Sequence, residues 1–176
     1  MTEFNISTEV KLEVSVHIRK AKEEDIRKLE WHGEYTKYRL LFERSYQEML
    51  AGKRILLIAE MNHYPIGRLF IQLKSAFPRI ADGRSSAYLY SFQVMDIFQN
   101  MGIGSQLLFT AESLLCSRKF RQVTLAVAKD NEKATNFYLK HHYHHFAEDP
   151  GKWEYIDHEG LKQLIEEPSW LLRKQL

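Results

Sequence analysis

Apolar residues recur along this chain at spacings that switch between the period of a strand and the period of a helix. Val14, Val16 and Ile18 alternate with polar residues, which is typical of a half-buried strand. A charged turn over residues 20–25 then leads into a short helix. Residues 34–50 place apolar side chains three and four positions apart, which predicts a second helix.

The rest of the chain predicts a meander of strands followed by alternating strands and helices. The predicted strands are 55–60, 66–74, 88–94, 123–128, 153–156 and 161–165, the predicted helices are 103–118 and 132–141, and a short apolar segment follows at 169–172. This order favours an α/β fold with a mixed sheet and helices on both faces. We expect one domain over residues 1–176, with residues 1–13 as a loose extension.

Composition narrows the class of protein but not its activity. The chain has 176 residues, of which 44% are hydrophobic and 27% charged, as in ordinary globular domains. A net charge of +2 does not favour nucleic acid or a membrane surface as partner. Cys116 is the single cysteine and the polar first residues do not resemble a signal peptide, so we expect a cytoplasmic protein.

Residues 94–104 form the stretch that suggests chemistry. A predicted strand passes into a predicted helix through a polar loop that contains Gly102 and Gly104. The first amides of a helix have no intrahelical partner and lie at the positive end of the helix dipole, so such a loop can bind an anion, usually phosphate. A strand–helix turn that binds nothing is the alternative interpretation of this fragment.

Two sequence blocks carry a family resemblance. The first block reads Val94-x-Asp96-x-Phe98-Gln99-x-x-Gly102-Ile103-Gly104. The second block, one strand and one helix later, contains Asn131, Ala134, Phe137, Tyr138 and Lys140. The first block resembles the acyl-CoA pyrophosphate loop of the GNAT-type N-acyltransferases, and the second resembles the family's next strand and helix. The chain departs from the family pattern at Asp96, Asn100, His142 and Tyr143.

The resemblance implies the GNAT fold, with a central mixed, mostly antiparallel sheet and helices on both faces. It also implies an N-acetyltransferase that uses acetyl-CoA. The implied cofactor-binding residues are Gln93, Val94, Gln99, Asn100, Met101, Gly102, Ile103, Gly104, Ser105, Asn131 and Tyr138. Tyr138 matches the tyrosine that protonates the leaving CoA thiolate, and a phenol with a pKa of about 10 can protonate a thiolate with a pKa of about 8.5. The position of Cys116 argues against a covalent acyl-enzyme, so the implied reaction is direct attack by a primary amine.

The amine acceptor is harder to predict. The strand before the loop lacks the glutamate that many relatives use as base, so Glu34 is our candidate, with solvent as the alternative. Trp31, Tyr35, Tyr88 and Tyr90 are candidates to line an acceptor pocket for a small molecule or a peptide. Oligomeric state is left open, with a homodimer as one option.

Two other functions could use the same loop. An acyl-CoA sensor with little turnover would need the same loop, and a nucleotide-binding protein is less favoured because Ser105-Gln106 stands where a Lys-Ser/Thr pair would follow the glycines. The histidines at 141–145 point in different directions on a helix end and a strand start, so no metal site is predicted. We expect Cys116 to be a buried, inert thiol.

Overall fold

A computed structural model describes residue 9 and residues 13–176. The helices are α1 (Glu23–Ile26), α2 (Arg39–Leu50), α3 (Ile103–Ser117) and α4 (Glu132–Lys140). The strands are β1 (His17–Lys20), β2 (Arg54–Met61), β3 (Tyr64–Gln72), β4 (Ser86–Val94), β5 (Gln122–Ala128), β6 (His144–Asp149), β7 (Lys152–Ile156), β8 (Lys162–Glu166) and β9 (Ser169–Gln175). None of the described helices is both long and apolar enough to cross a membrane. The predicted loose extension falls mostly on residues 1–8 and 10–12, outside the described residues.

The central sheet is mixed and mostly antiparallel, as predicted. Its seven strands lie in the order β1-β2-β3-β4-β5-β9-β6, and β7 and β8 form a separate hairpin. Only the central pair, β4 and β5, is parallel among the described strands of this sheet. A parallel pair needs a crossover connection, and α3 supplies it.

Two hydrophobic cores lie on opposite faces of this sheet. On one face, α3 and α4 cover a core that includes Leu107, Leu108 and Leu115. On the other face, α1 and α2 cover a smaller core built around Leu29, Phe42 and Phe70. Because both faces are covered, β3 is buried from Pro65 to Ile71, although its alternating sequence predicts a strand with one exposed face.

Several elements and one burial differ from the predictions, including β6, which is not predicted as a strand, and β9, which extends to Gln175. The first strand begins at His17 rather than near Val14, because His17 already pairs with Glu60 near the end of β2 and the described residues 13–16 have no partner strand. The second helix begins at Arg39 rather than Glu34, since a turn and a 3₁₀ segment occupy residues 31–38. Cys116 is exposed, because the inner position of α3 is taken by Leu115.

The buried Glu30 explains why the second helix starts late. Its carboxylate accepts hydrogen bonds from the Thr36 hydroxyl at 2.9 Å and from Arg39 Nε at 2.6 Å. Its carbonyl accepts the Tyr35 amide at 3.0 Å, and Gly33 in the same turn has a φ of +100°. These contacts hold residues 31–38 as a turn over the sheet instead of a continuous helix.

The residues that flank β7 and β8 approach each other closely at the open end of this hairpin. Gly151 and Glu167 share a backbone hydrogen bond of 3.0 Å there. A Cβ atom added at Gly151 would lie 1.7 Å from the Glu167 carbonyl oxygen, and φ at Gly151 is +67°. Glycine is therefore required both for space and for backbone conformation.

Substitution of Gly151 should destabilise the protein more than substitution of Gly160 in the tip of the same hairpin. Gly160 has a φ of +83°, but a Cβ atom added there would meet no other atom within 4 Å, so Gly160→Ala should cost only the left-handed strain of about 1–2 kcal/mol. Gly151→Ala should cost about 1–3 kcal/mol more, because backbone must move apart. Urea unfolding of both variants measures the free energy of unfolding, and equal losses of stability would contradict the close contact between Gly151 and Glu167.

Candidate active site

The site is organised around the point where β4 and β5 separate. Their parallel pairing ends at Leu89 opposite Leu125, although both strands continue for several residues. On the other side of β4, one extra residue lies between the pairs that join β4 to β3, and Ser91 at this bulge has a φ of +49°. A β-bulge bends its strand and increases the local twist. The end of β4 therefore turns away from β5 and opens a gap in the sheet.

The loop after β4 presents free amides at the start of α3. Asn100 and Gly102 have positive φ, at +62° and +82°, and the helix begins at Ile103. Gln106 N–H makes the first hydrogen bond of the helix, to the Gly102 carbonyl at 3.0 Å. The amides of residues 103–105 lie before that bond and are therefore available to an anion. This is the geometry that the two glycines predict.

The Gln99 side chain makes hydrogen bonds that connect the end of β4, the loop and α4. Its amide nitrogen donates to the Val94 carbonyl at 2.9 Å and to Asp96 at 2.6 Å, and its amide oxygen accepts from Lys133 on α4. Gln99 therefore links the Asp96 carboxylate of the loop to the Lys133 ammonium of α4 through its own side chain.

α4 begins and ends with contacts to this region. The Asn131 side chain accepts the Ala134 amide at 3.0 Å, so Asn131 is the N-cap of the helix. At the other end, His141 Nε2 lies 3.0 Å from the hydroxyl of Ser105 in the first turn of α3. The first contact fixes the start of α4, and the second joins the end of α4 to the start of α3.

Tyr138 lies in the core of the α3–α4 face, with its ring against Phe92, Phe137 and Tyr143. Burial, and then the neighbouring Tyr88, raise the pKa of Tyr138 well above its ordinary value. The phenol therefore stays protonated at neutral pH.

These elements surround a cleft of about 600 Å³. Predicted cofactor-binding residues that line it are Gln93, Val94, Gln99, Asn100, Gly102, Gly104, Ser105, Asn131 and Tyr138. Two others do not: Met101 is exposed on the loop and the Ile103 side chain is buried in the core. Lys133, Ala134, Phe92 and Phe137 also line the cleft and were not singled out as site residues from the sequence.

The predicted acceptor residues lie on the opposite face of the sheet, which α1 and α2 cover. Trp31 is buried and donates its indole N–H to the Pro65 carbonyl at 2.8 Å, so it packs in the core. Tyr35 lies edge-on to Trp31, with ring centroids 5.4 Å apart. The Tyr90 hydroxyl bonds to Ser45 on α2 and to Arg54.

Tyr88 is the predicted acceptor residue that approaches Tyr138. Its ring stacks on Tyr90 with centroids 6.3 Å apart, and burial raises its pKa to about 12. It also contributes, after burial, to the raised pKa of Tyr138.

Glu34 lies exposed in the turn before α2, rather than on a helix. Burial, and then the neighbouring Glu34 carboxylate, raise the pKa of Tyr35 to about 12. Glu34 is thus on the same face as the aromatic residues, whereas Tyr138 belongs to the other face.

The chain belongs to the acetyltransferase (GNAT) family, whose family model matches residues 18–143, well over half of the sequence. The prediction of an acetyltransferase with this fold is therefore confirmed. No curated protein matches the chain significantly.

Solved structures with the same fold cover nearly the whole chain at low identity. Ard1 from Thermoplasma volcanium is 20% identical with a TM-score of 0.70, over 92% of this chain and 97% of that one. Arabidopsis thaliana Naa50, in complex with the bisubstrate analogue CoA-Ac-MVNAL, is 19% identical with a TM-score of 0.66, over 93% and 100%. Arabidopsis thaliana NAA60, in complex with acetyl-CoA, is 16% identical with a TM-score of 0.68, over 92% and 99%.

Substitutions at Asn131 should separate helix capping from ligand contact. Asn131→Ala should cost about 1 kcal/mol of stability, because the Ala134 amide loses its partner. Asn131→Asp should retain the stability, since aspartate is an equally good N-cap. If Asn131 also lies against an anionic ligand, Asp should weaken acetyl-CoA binding while the fold stays intact. Thermal unfolding and calorimetric titration measure the two effects, and equal stability of both variants would contradict the capping role.

Proposed function

We propose that this protein transfers an acetyl group from acetyl-CoA to a primary amine by direct attack. The proposal rests on the position of Tyr138, which lines the cleft beside the gap between β4 and β5 and whose raised pKa keeps its phenol protonated. The free amides at the start of α3 lie in the wall of the same cleft. An anion-binding loop and a buried acid in one cleft are what an acyl-CoA thioester requires.

The cleft fits acetyl-CoA by its chemistry. The amides of residues 103–105 would hold the pyrophosphate, with Lys133 adding positive charge nearby. Beyond Leu89, the edge of β4 that faces β5 has no strand partner, so its backbone can pair with the amide groups of an extended ligand. When bound, acetyl-CoA supplies an activated thioester, which the amine attacks.

Tyr138 supplies the proton that the leaving sulfur needs. Its raised pKa keeps the hydroxyl protonated before the reaction, and a thiolate with a pKa of about 8.5 is less basic than the phenolate. Transfer of this proton to the departing sulfur is therefore unfavourable by itself. The step is balanced when the phenolate regains a proton from solvent, to which the proton of the amine is also released. The amine enters from the face that α1 and α2 cover, where Tyr88 and Tyr35 lie.

The amine must lose a proton as the acetyl group is transferred. We infer that Glu34 accepts it through water, because Glu34 is an exposed carboxylate on the acceptor face, beside Tyr35. Tyr35 and Tyr88 would form the aromatic surroundings of a small-molecule or peptide amine, and the buried Trp31 and half-buried Tyr90 would support their rings. The cytoplasmic location and the option of a homodimer stay predictions from the sequence.

Removal of the Tyr138 hydroxyl should slow chemistry without weakening acetyl-CoA binding. Tyr138→Phe should lower kcat by about 10²–10⁴-fold, the usual contribution of a general acid, with an unchanged Kd for acetyl-CoA. Tyr143→Phe is the matched control, since its ring lies 5.7 Å from Tyr138 but its hydroxyl bonds to Glu112 at 2.9 Å. That control should lose about 1 kcal/mol of stability and keep its kcat.

An amine panel with a free-thiol readout and calorimetric titration measures these effects. Equal kcat values for wild type and Tyr138→Phe would exclude Tyr138 as the acid. Binding of acetyl-CoA by wild type without acetylation of any amine would instead favour the alternative function, an acyl-CoA sensor. The sensor remains an alternative because β4 contains no carboxylate that could act as the base.

Glu34→Gln should lower kcat/KM at neutral pH by about 10²-fold or more if Glu34 takes the amine's proton. The deficit should shrink as pH rises towards about 10, because alkyl amines then lose the proton to solvent. Glu24→Gln, another exposed carboxylate before α2, is the control and should keep wild-type activity. A pH–rate profile for Glu34→Gln that overlies the wild-type profile would assign the proton to solvent alone.

A further inference from the structure

Arg68 in the middle of β3 is a buried cation with no carboxylate within ion-pair distance among the described residues. Its exposed fraction is 2%. Burial lowers its pKa to about 10, against the opposing effect of Tyr35 and of the Glu34 carboxylate, so it remains charged at neutral pH. Burying such a charge is costly, and its retention calls for a role that an apolar side chain could not fill.

One end of the Arg68 guanidinium contacts the bulge in β4. Its Nε donates to the Ser91 hydroxyl at 3.2 Å, and Ser91 is the residue with left-handed φ at the bulge. A non-glycine residue in this conformation is strained and persists only when its surroundings hold it. Arg68 lies on the neighbouring strand directly beside the bulge, since it pairs with Gln93.

The other end of the guanidinium contacts the segment that leads to the acceptor residues. Its Nη1 donates to the Leu29 carbonyl at 3.3 Å, two residues before Trp31. The aromatic rings of Trp31 and Tyr35 lie 4.4 Å and 4.2 Å from its Cζ atom, close enough for cation–π attraction. Arg68 therefore touches the bulge that opens the gap and the wall of the acceptor face at the same time.

We propose that Arg68 is a positioning residue that holds the β4 bulge at Ser91 against the acceptor segment at Leu29–Tyr35. Arg68 thereby sets the position at which the amine meets the gap between β4 and β5. This inference rests on the proposed acetyl transfer. Arginine is required because its planar group donates in several fixed directions while its faces stack on aromatic rings, which a lysine ammonium cannot do.

The test combines kinetics with amide hydrogen exchange of the full chain. Arg68→Met should lower kcat/KM for the amine by about 10- to 100-fold, as small misplacements of reacting groups do. Amide exchange in residues 90–95 and 29–35 should rise. Arg68→Lys should resemble Arg68→Met, although it keeps the charge.

Arg173→Met is the control, because Arg173 is an exposed arginine on β9, a strand that does not neighbour β4. It should leave exchange in residues 90–95 and the kinetics unchanged.

Ser91→Ala keeps the proposal testable if Arg68→Met does not fold. It removes one contact and should raise exchange in residues 90–95 and lower kcat/KM in the same direction. Unchanged exchange and kinetics in either folded variant would overturn the proposal. Activity restored by Arg68→Lys only towards acceptors that carry a carboxylate would also overturn it, since Arg68 would then recognise an anion. If wild type acetylates no amine, the proposed function fails, and the exchange data alone still decide whether Arg68 holds the bulge.

Discussion

The separation of β4 from β5 is the constraint on which the rest of the structure depends. A parallel pair in the centre of a sheet normally continues until its strands end, but here pairing stops at Leu89 and Leu125. The bulge at Ser91 redirects β4, and the backbone edges that it exposes must find other partners. The loop to α3, the start of α4 and the acceptor turn all lie around this one interruption.

The interruption also bears on the proposed transfer, in which the two substrates approach from opposite faces of the sheet. Tyr138 belongs to the core under α3 and α4, whereas Tyr35 and Tyr90 pack against the core under α1 and α2. An unbroken sheet would keep groups on the two faces apart. The gap beyond Leu89 is the place where the proposed thioester and amine would meet.

The parts of the site that the sequence predicts well are local in the chain. Gly102 and Asn131 have recognisable roles because a strand–helix loop and an N-cap depend on neighbouring residues, and the spacing of Tyr138 from Asn131 follows from one short helix. The late start of α2 was missed because it depends on Glu30 and its contacts with Thr36 and Arg39. The burial of Cys116 was wrong because a leucine-rich helix does not by itself show which face is inward.

The parts that the sequence does not predict depend on strand register. Arg68 lies 23 residues from Ser91 and 39 from Leu29 in the chain, and nothing in the local pattern indicates those contacts. The same holds for the close approach of Gly151 to Glu167. An arginine among apolar residues in β3 is the one sequence signal that could have marked this position, because a charge in a strand that is buried on both faces needs a specific partner.

Amide hydrogen exchange with and without acetyl-CoA tests the central claim most directly, because it locates the ligand on the wild-type chain. The account predicts protection of residues 92–105 and of the first turns of α4, with little change in β1, β2 and α2. Protection confined to other segments, or stabilisation by ATP without any by acetyl-CoA, would contradict the assignment of the cleft between β4 and β5 to an acyl-CoA.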